Sequence, residues 1–159
     1  MFKSGSCFNL FAPVDGKVLD ISMVPDKVFS NRIVGDGVAI QPEGNIITAP
    51  EDGELSVVFK KNYGFGMVLD NKVEVLVHVG IDTFQLNGEG FERIAEEGTK
   101  VKKGTPILKF DRKYVEKKGY SVIVPVIITN IDIISSIGYN NVGSTVSSGK
   151  DTVVNYKIV

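Results

Sequence analysis

One histidine, His78, carries whatever imidazole chemistry this chain can perform. It stands in the segment Val77-His78-Val79-Gly80-Ile81-Asp82-Thr83. A histidine near a strand end, with glycine two residues on, can donate its Nδ1 proton to a nearby backbone carbonyl. Nε2 then keeps its lone pair. A neutral imidazole, whose ordinary pKa is about 6.5, is a nucleophile near neutral pH. The same residues also fit a strand histidine that only hydrogen-bonds locally. A zinc centre of two or three histidines is excluded within the chain, as is a histidine relay. The single cysteine, Cys7, can form neither an internal disulfide nor a multi-thiolate metal cage. No metal and no cofactor are expected. No Gly-x-Ser-x-Gly elbow is present. The glycine-rich run Ile33-Val34-Gly35-Asp36-Gly37-Val38-Ala39-Ile40 lacks the lysine and following helix of a phosphate loop, and reads as a tight turn into a strand.

The elements that hold these residues must be short strands. Seventeen glycines and six prolines punctuate β-branched runs, and no long amphipathic helix is legible. In Val73-Glu74-Val75-Leu76-Val77-His78-Val79 the valines alternate with Glu74, Leu76 and His78, so His78 shares a strand face with Leu76. Further strands are expected over residues 16–21, 37–41, 53–59, 65–69, 106–110, 122–129 and 153–158. Pro125 inside one of them suggests an edge strand or a bulge. The stretch 111–119 has an Asp start, a basic last turn and a Gly stop, and predicts a short helix. Residues 26–32 and 91–97 could each form a helical turn or two. Ala12-Pro13-Val14-Asp15-Gly16 recurs as Ala49-Pro50-Glu51-Asp52-Gly53, a turn leading into a strand, which suggests a duplicated β unit. Many short strands predict an all-β antiparallel sandwich or barrel with short helical turns.

Composition limits the partners. With 159 residues, 43% apolar and 23% charged, the chain is expected to be one globular domain spanning 1–159, with residues 1–9 as a short tail. Eighteen basic against nineteen acidic residues give a formal charge of −1, which argues against nucleic acid as main partner. No apolar run approaches the about 20 residues of a membrane span, and the N-terminus lacks a signal peptide's apolar core. No direct membrane insertion is expected, and the cytoplasm is the expected address. The apolar residues Val28, Phe29, Ile33, Val34, Phe59, Leu76 and Phe84 fit either core packing or a protein-docking patch around His78.

Several stretches resemble the glucose-type IIA domains of the bacterial phosphoenolpyruvate-dependent sugar phosphotransferase system. They are Phe11-Ala12-Pro13-Val14-Asp15-Gly16, Val24-Pro25-Asp26-Lys27-Val28-Phe29, Ile33 to Ile40, and Ala49 to Gly53. The resemblance continues through Val77 to Thr83, Leu86-Asn87-Gly88-Glu89-Gly90-Phe91, Glu97-Gly98-Thr99-Lys100-Val101 and Pro125 to Asn130. It implies a phosphocarrier with a sandwich of the duplicated-hybrid type. It implies that His78 is phosphorylated on Nε2 by HPr and passes the group to a sugar-specific IIB domain or IIBC permease, with regulatory targets as further partners. Gly80 matches the glycine whose carbonyl orients the imidazole. Asp26 and Asp82 match carboxylates beside the site, and the seven apolar residues match a docking ring in which Lys27 replaces an apolar residue. The family's second active-site histidine lies in a segment Asn-His-Ala-Phe. Here that segment is Asn62-Tyr63-Gly64-Phe65, so Tyr63 stands in its place. A phenol donates a hydrogen bond but stays neutral near pH 7. Onward transfer is therefore the step expected to suffer, unless Lys61 supplies the missing cation; the alternative is a docking module that is phosphorylated but transfers poorly.

Overall fold

The structure is a computed structural model that describes residues 6–159. Among the described residues fourteen strands run in chain order as β1 (Cys7–Phe11), β2 (Gly16–Asp20), β3 (Asp36–Pro42), β4 (Ile46–Thr48), β5 (Gly53–Val58), β6 (Gly64–Leu69) and β7 (Glu74–His78). They continue as β8 (Phe91–Arg93), β9 (Lys100–Val101), β10 (Pro106–Phe110), β11 (Val124–Ile128), β12 (Ile134–Tyr139), β13 (Thr145–Val146) and β14 (Thr152–Ile158). Two short helices, α1 (Lys27–Ser30) and α2 (Arg112–Lys117), complete the set with three 3-10 turns. An eight-stranded sheet has the order β13-β2-β3-β11-β7-β6-β5-β9, and two three-stranded sheets have the orders β1-β14-β12 and β4-β10-β8. The strand pairs are antiparallel throughout. This is the all-β sandwich expected from the spacing of β-branched runs.

The duplicated turn organises the molecule. In the first copy Ala12 N–H donates to Asp151 O at 2.8 Å, and Gly149 N–H donates to Ala12 O at 2.9 Å. In the second, Ala49 N–H donates to Thr105 O and Gly104 N–H to Ala49 O, both at 2.9 Å. Asp15 Oδ1 accepts from Ser148 N–H as Asp52 Oδ1 accepts from Lys103 N–H, each at 2.8 Å. The copies also bond to each other, Phe11 N–H to Pro50 O at 2.9 Å and Thr48 N–H to Pro13 O at 2.6 Å. Where they face, a Cβ on Gly149 would stand 3.1 Å from the Gly104 Cα, so position 149 needs to be small.

Alternation divides the large sheet into two apolar faces. Val18, Val38, Ile40, Val75, Val77, Val126 and Ile128 join the main core, which also takes Leu10, Phe65, Phe110 and Tyr156. Ala39, Ile127 and, half-buried, Leu19 and Leu76 point the other way and meet Ile21, Val24 and Phe29 in a smaller cluster. The segment 21–30, which holds the 3-10 turn Ile21–Met23 and α1, closes that second face. His78 follows Leu76 on it.

Several details differ from the sequence expectations, among them the short strands β4, β9 and β13, which were not expected. Cys7–Asn9, expected as tail, belong to β1 and pair with β14; the expected tail's residues 1–5 lie outside the described residues. Residues 91–93 form strand β8, because Phe91 stacks on Phe110 with ring centroids 6.1 Å apart and the ladder to β10 takes up the backbone. β11 is an interior strand despite Pro125. Its ladder to β7 begins at Val126, so Pro125 is paired with β3 alone and its missing N–H costs no bond to β7. β12 carries no apolar alternation strong enough to announce itself, and is a strand through its ladder to β14.

Candidate active site around His78

His78 ends β7, level with Gly64 of β6. Its Nδ1 lies 2.7 Å from the Gly80 carbonyl oxygen. A backbone carbonyl only accepts, so Nδ1 carries the proton and Nε2 is left with its lone pair. Gly80 reaches this position with φ +77°, in the left-handed region. Its N–H is held by the Ile123 carbonyl at 3.0 Å. A Cβ here would meet Thr83 Cγ2 at 2.4 Å and the Ser121 carbonyl oxygen at 2.8 Å. Thr83 is itself fixed, its buried hydroxyl donating to the Val79 carbonyl at 2.6 Å. Sequence reasoning missed Thr83 and Ser121 as the walls that leave room for glycine alone.

Aromatic rings enclose the imidazole. Phe29 lies edge-on with ring centroids 5.4 Å apart, Tyr63 likewise at 5.3 Å, and Phe59 is tilted at 6.4 Å. Tyr63 also contacts Phe59 at 5.3 Å and Phe84 at 6.2 Å. Gly64 makes room for this: a Cβ there would stand 2.9 Å from Phe59 Cδ2. Burial pushes the His78 imidazole below the ordinary histidine value, opposed by the Gly80 hydrogen bond and by the charges of Asp26 and Asp82. The ring is therefore neutral at pH 7, the form a nucleophile needs.

The two carboxylates differ in burial. Asp26 is half-buried and caps α1, its Oδ1 accepting from the Val28 N–H at 2.8 Å. Asp82 is exposed, left-handed at φ +60°, and caps nothing with its side chain. The apolar residues divide likewise. Val28, Ile33 and Phe84 are exposed, and Phe59, Val34 and Leu76 half-buried. Phe29 departs from a surface expectation: it is 7% exposed and seated in the smaller core cluster, because α1 folds it inward onto Ile21, Val24 and Ile127. Met23, on the 3-10 turn packed against α1, is exposed and adds an apolar residue that the sequence pattern did not single out.

Tyr63 is carried by a tight reversal between β5 and β6. Lys61 and Asn62 are both left-handed, at φ +77° and +62°. Asn62 N–H donates to the Phe59 carbonyl at 2.8 Å, Phe59 N–H to Gly64 O at 3.0 Å, and Val79 N–H to Tyr63 O at 2.8 Å. Lys61 is exposed and lays its stem along Gly88, whose Cβ position would be 3.7 Å from the lysine Cδ. Lys27 is exposed on α1. Among the described residues no group of three or more His, Cys, Asp or Glu side chains could hold a metal ion.

Residues 8–134 match the family described as phosphoenolpyruvate-dependent sugar phosphotransferase system, EIIA 1. The chain belongs to this family. It is 47% identical over 139 residues to the glucose-specific EIIA component of Borreliella burgdorferi, covering 87% of this chain and 74% of that one. To the component of the same name from Haemophilus influenzae it is 48% identical over 129 residues, covering 81% and 78%. The solved glucose permease IIA from Mycoplasma capricolum superposes with a TM-score of 0.85 at 32% identity, covering 98% of this chain and 99% of that one. The fold of that solved IIA is thus shared over 98% of this chain, and the general activity is that of a phosphotransferase-system carrier. Among the described residues no helix is long and apolar enough to cross a membrane.

Proposed function

We propose that this chain is the phosphocarrier that takes a phosphoryl group from phospho-HPr onto Nε2 of His78 and hands it to a sugar-specific IIB domain. The observation that carries the reading is the 2.7 Å contact from His78 Nδ1 to the Gly80 carbonyl, which leaves Nε2 as the nucleophile. In the step, the Nε2 lone pair forms a bond to phosphorus while the donor's N–P bond breaks and its electron pair returns to the donor nitrogen. The proton stays on Nδ1, hydrogen-bonded to the Gly80 carbonyl. Onward transfer reverses the roles, with His78 as leaving group. The glucose specificity named for the Borreliella and Haemophilus relatives makes a glucose-class sugar the first to test. Val28, Ile33 and Phe84 form the exposed apolar centre for both protein partners, with Phe59, Val34 and Leu76 half-buried beside them, Phe29 supporting from beneath, and Asp26 and Asp82 as acidic flanks.

Tyr63 favours a second reading, a module that is phosphorylated and discharges slowly. Its ring holds the place beside His78, 5.3 Å away, but its phenol brings no positive charge to the phosphoryl oxygens. Single-turnover discharge of phospho-His78 to purified IIB separates the two. Rapid loss of label to IIB supports the carrier, and accumulation of phospho-His78 with slow loss supports the module.

A further inference from the structure

The Lys61–Asn62 turn holds two consecutive non-glycine residues in the left-handed region, an arrangement that persists only where neighbouring structure enforces it. One side chain from elsewhere in the fold hydrogen-bonds this turn. Arg93 of β8 donates from Nε to Asn62 Oδ1 at 3.0 Å, in a part-buried contact. β8 is anchored by its ladder to β10, where Arg93 pairs with Leu108, so the guanidinium is delivered from a fixed strand. The next residue after Asn62 is Tyr63, whose ring stands edge-on to His78 at 5.3 Å. Among the described residues Arg93 forms no hydrogen bond or ion pair with the imidazole.

We propose that Arg93 is a positioning residue of the phosphoryl site, holding through Asn62 the left-handed turn that sets the Tyr63 ring against His78. The inference deepens the phosphocarrier reading and rests on it for its effect on transfer, but its structural content is independent. Charge alone does not explain the contact. Lys60 and Lys61 sit in the same turn and form no ion pair among the described residues, whereas Arg93 directs its planar Nε–H at one acceptor.

His78 is the only histidine, so its imidazole carbon-bound protons are read in NMR spectra without competing signals. Tyr63→Ala defines the shift produced by loss of the neighbouring ring. Arg93→Met is expected to move the His78 signals toward that reference and to slow discharge of phospho-His78 to IIB by up to about 100-fold, the scale of a roughly 1 Å misplacement at a reacting group. Arg93→Lys, which keeps the charge and loses the Nε–H, is expected to resemble Arg93→Met. In an Asn62→Gly background, which accepts the left-handed φ without strain and has no Oδ1, Arg93→Met is expected to add nothing. Unchanged His78 signals in folded Arg93→Met would overturn the proposal. So would an equally large effect of Arg93→Met in the Asn62→Gly background, which would make Arg93 a cation acting directly on the phosphoryl group. If His78 proved not to be the acceptor, the NMR shifts would still decide the positioning claim.

Discussion

Gly80→Ala perturbs the site through one methyl group whose collisions are defined. The new Cβ would stand 2.4 Å from Thr83 Cγ2 and 2.8 Å from the Ser121 carbonyl oxygen, on a residue held at φ +77°. The left-handed backbone costs an L-residue about 1–2 kcal/mol. Overpacking against two neighbours adds about 1–3 kcal/mol. The sum, about 2–5 kcal/mol, is less than or comparable to the stability of a small domain, so the protein folds but melts earlier. Relief by rotating the peptide would carry the Gly80 carbonyl away from Nδ1 and free the imidazole to turn. Loss of stability and slowed phosphoryl acceptance should therefore appear together. Thr83→Ser removes Cγ2 while keeping the hydroxyl that bonds Val79, and in the Gly80→Ala background it should recover part of both losses. Urea unfolding and single-turnover acceptance from phospho-HPr measure the two effects. Unchanged stability and rate in Gly80→Ala would refute the claim that the site requires this glycine.

Tyr63→His should speed transfer from phospho-His78 to IIB by about 100- to 1,000-fold, the scale of about 2.7–4 kcal/mol for one electrostatic contact to a transition state. Acceptance from HPr should change little, and equal discharge rates would point to compensation, with Lys61→Ala as the test of its source. Phe84→Ala, at an exposed ring, should weaken partner binding by about 1–3 kcal/mol in calorimetry without lowering the melting temperature. Phe29→Ala empties a place in the smaller core, and should cost about 3–5 kcal/mol of folding stability in urea melts. Because burial lowers the folded-state pKa of His78 below the ordinary 6.5, the unfolded chain binds the extra proton first as pH falls. The His78 contribution to stability is thus fully present above pH 6.5 and is lost between there and the folded-state pKa. NMR titration of the single imidazole should give a midpoint below 6.5, and a midpoint at or above it would contradict the burial argument.

The legible part of this fold is the part written in local alternation. The valines of residues 73–79 place His78 and Leu76 on one face, and burial of Val73, Val75, Val77 and Val79 against the half-buried Leu76 and His78 shows that face in place. Asp111 and Gly119 bracket α2 as their types predict, Asp111 accepting from Tyr114 N–H and Gly119 taking φ +92°. The repeated Ala-Pro-x-Asp-Gly turn was legible, but its partners were not. Lys100-Val101 and Thr145-Val146 bond β5 and β2 in matching fashion, yet share too few identities to be paired by eye. Short strands such as β4, β8 and β13 exist only through ladders to distant segments, which no window of sequence contains. At the site, His78 and Gly80 stood out by type and spacing, and Tyr63 only through the family resemblance. Arg93 did not, because its contact with Asn62 spans 31 positions and an arginine on a short strand carries no signal of its own. Phe29 was ambiguous because an apolar residue in a punctuated segment can face either way until α1 is placed.

The central claim, that Nε2 of His78 accepts the phosphoryl group, is tested most directly by incubating the protein with phospho-HPr carrying labelled phosphate and comparing it with His78→Ala. The account predicts one label per chain, acid-labile and base-stable, mapped to His78 and absent from His78→Ala. Label of the same stability on folded His78→Ala would contradict it.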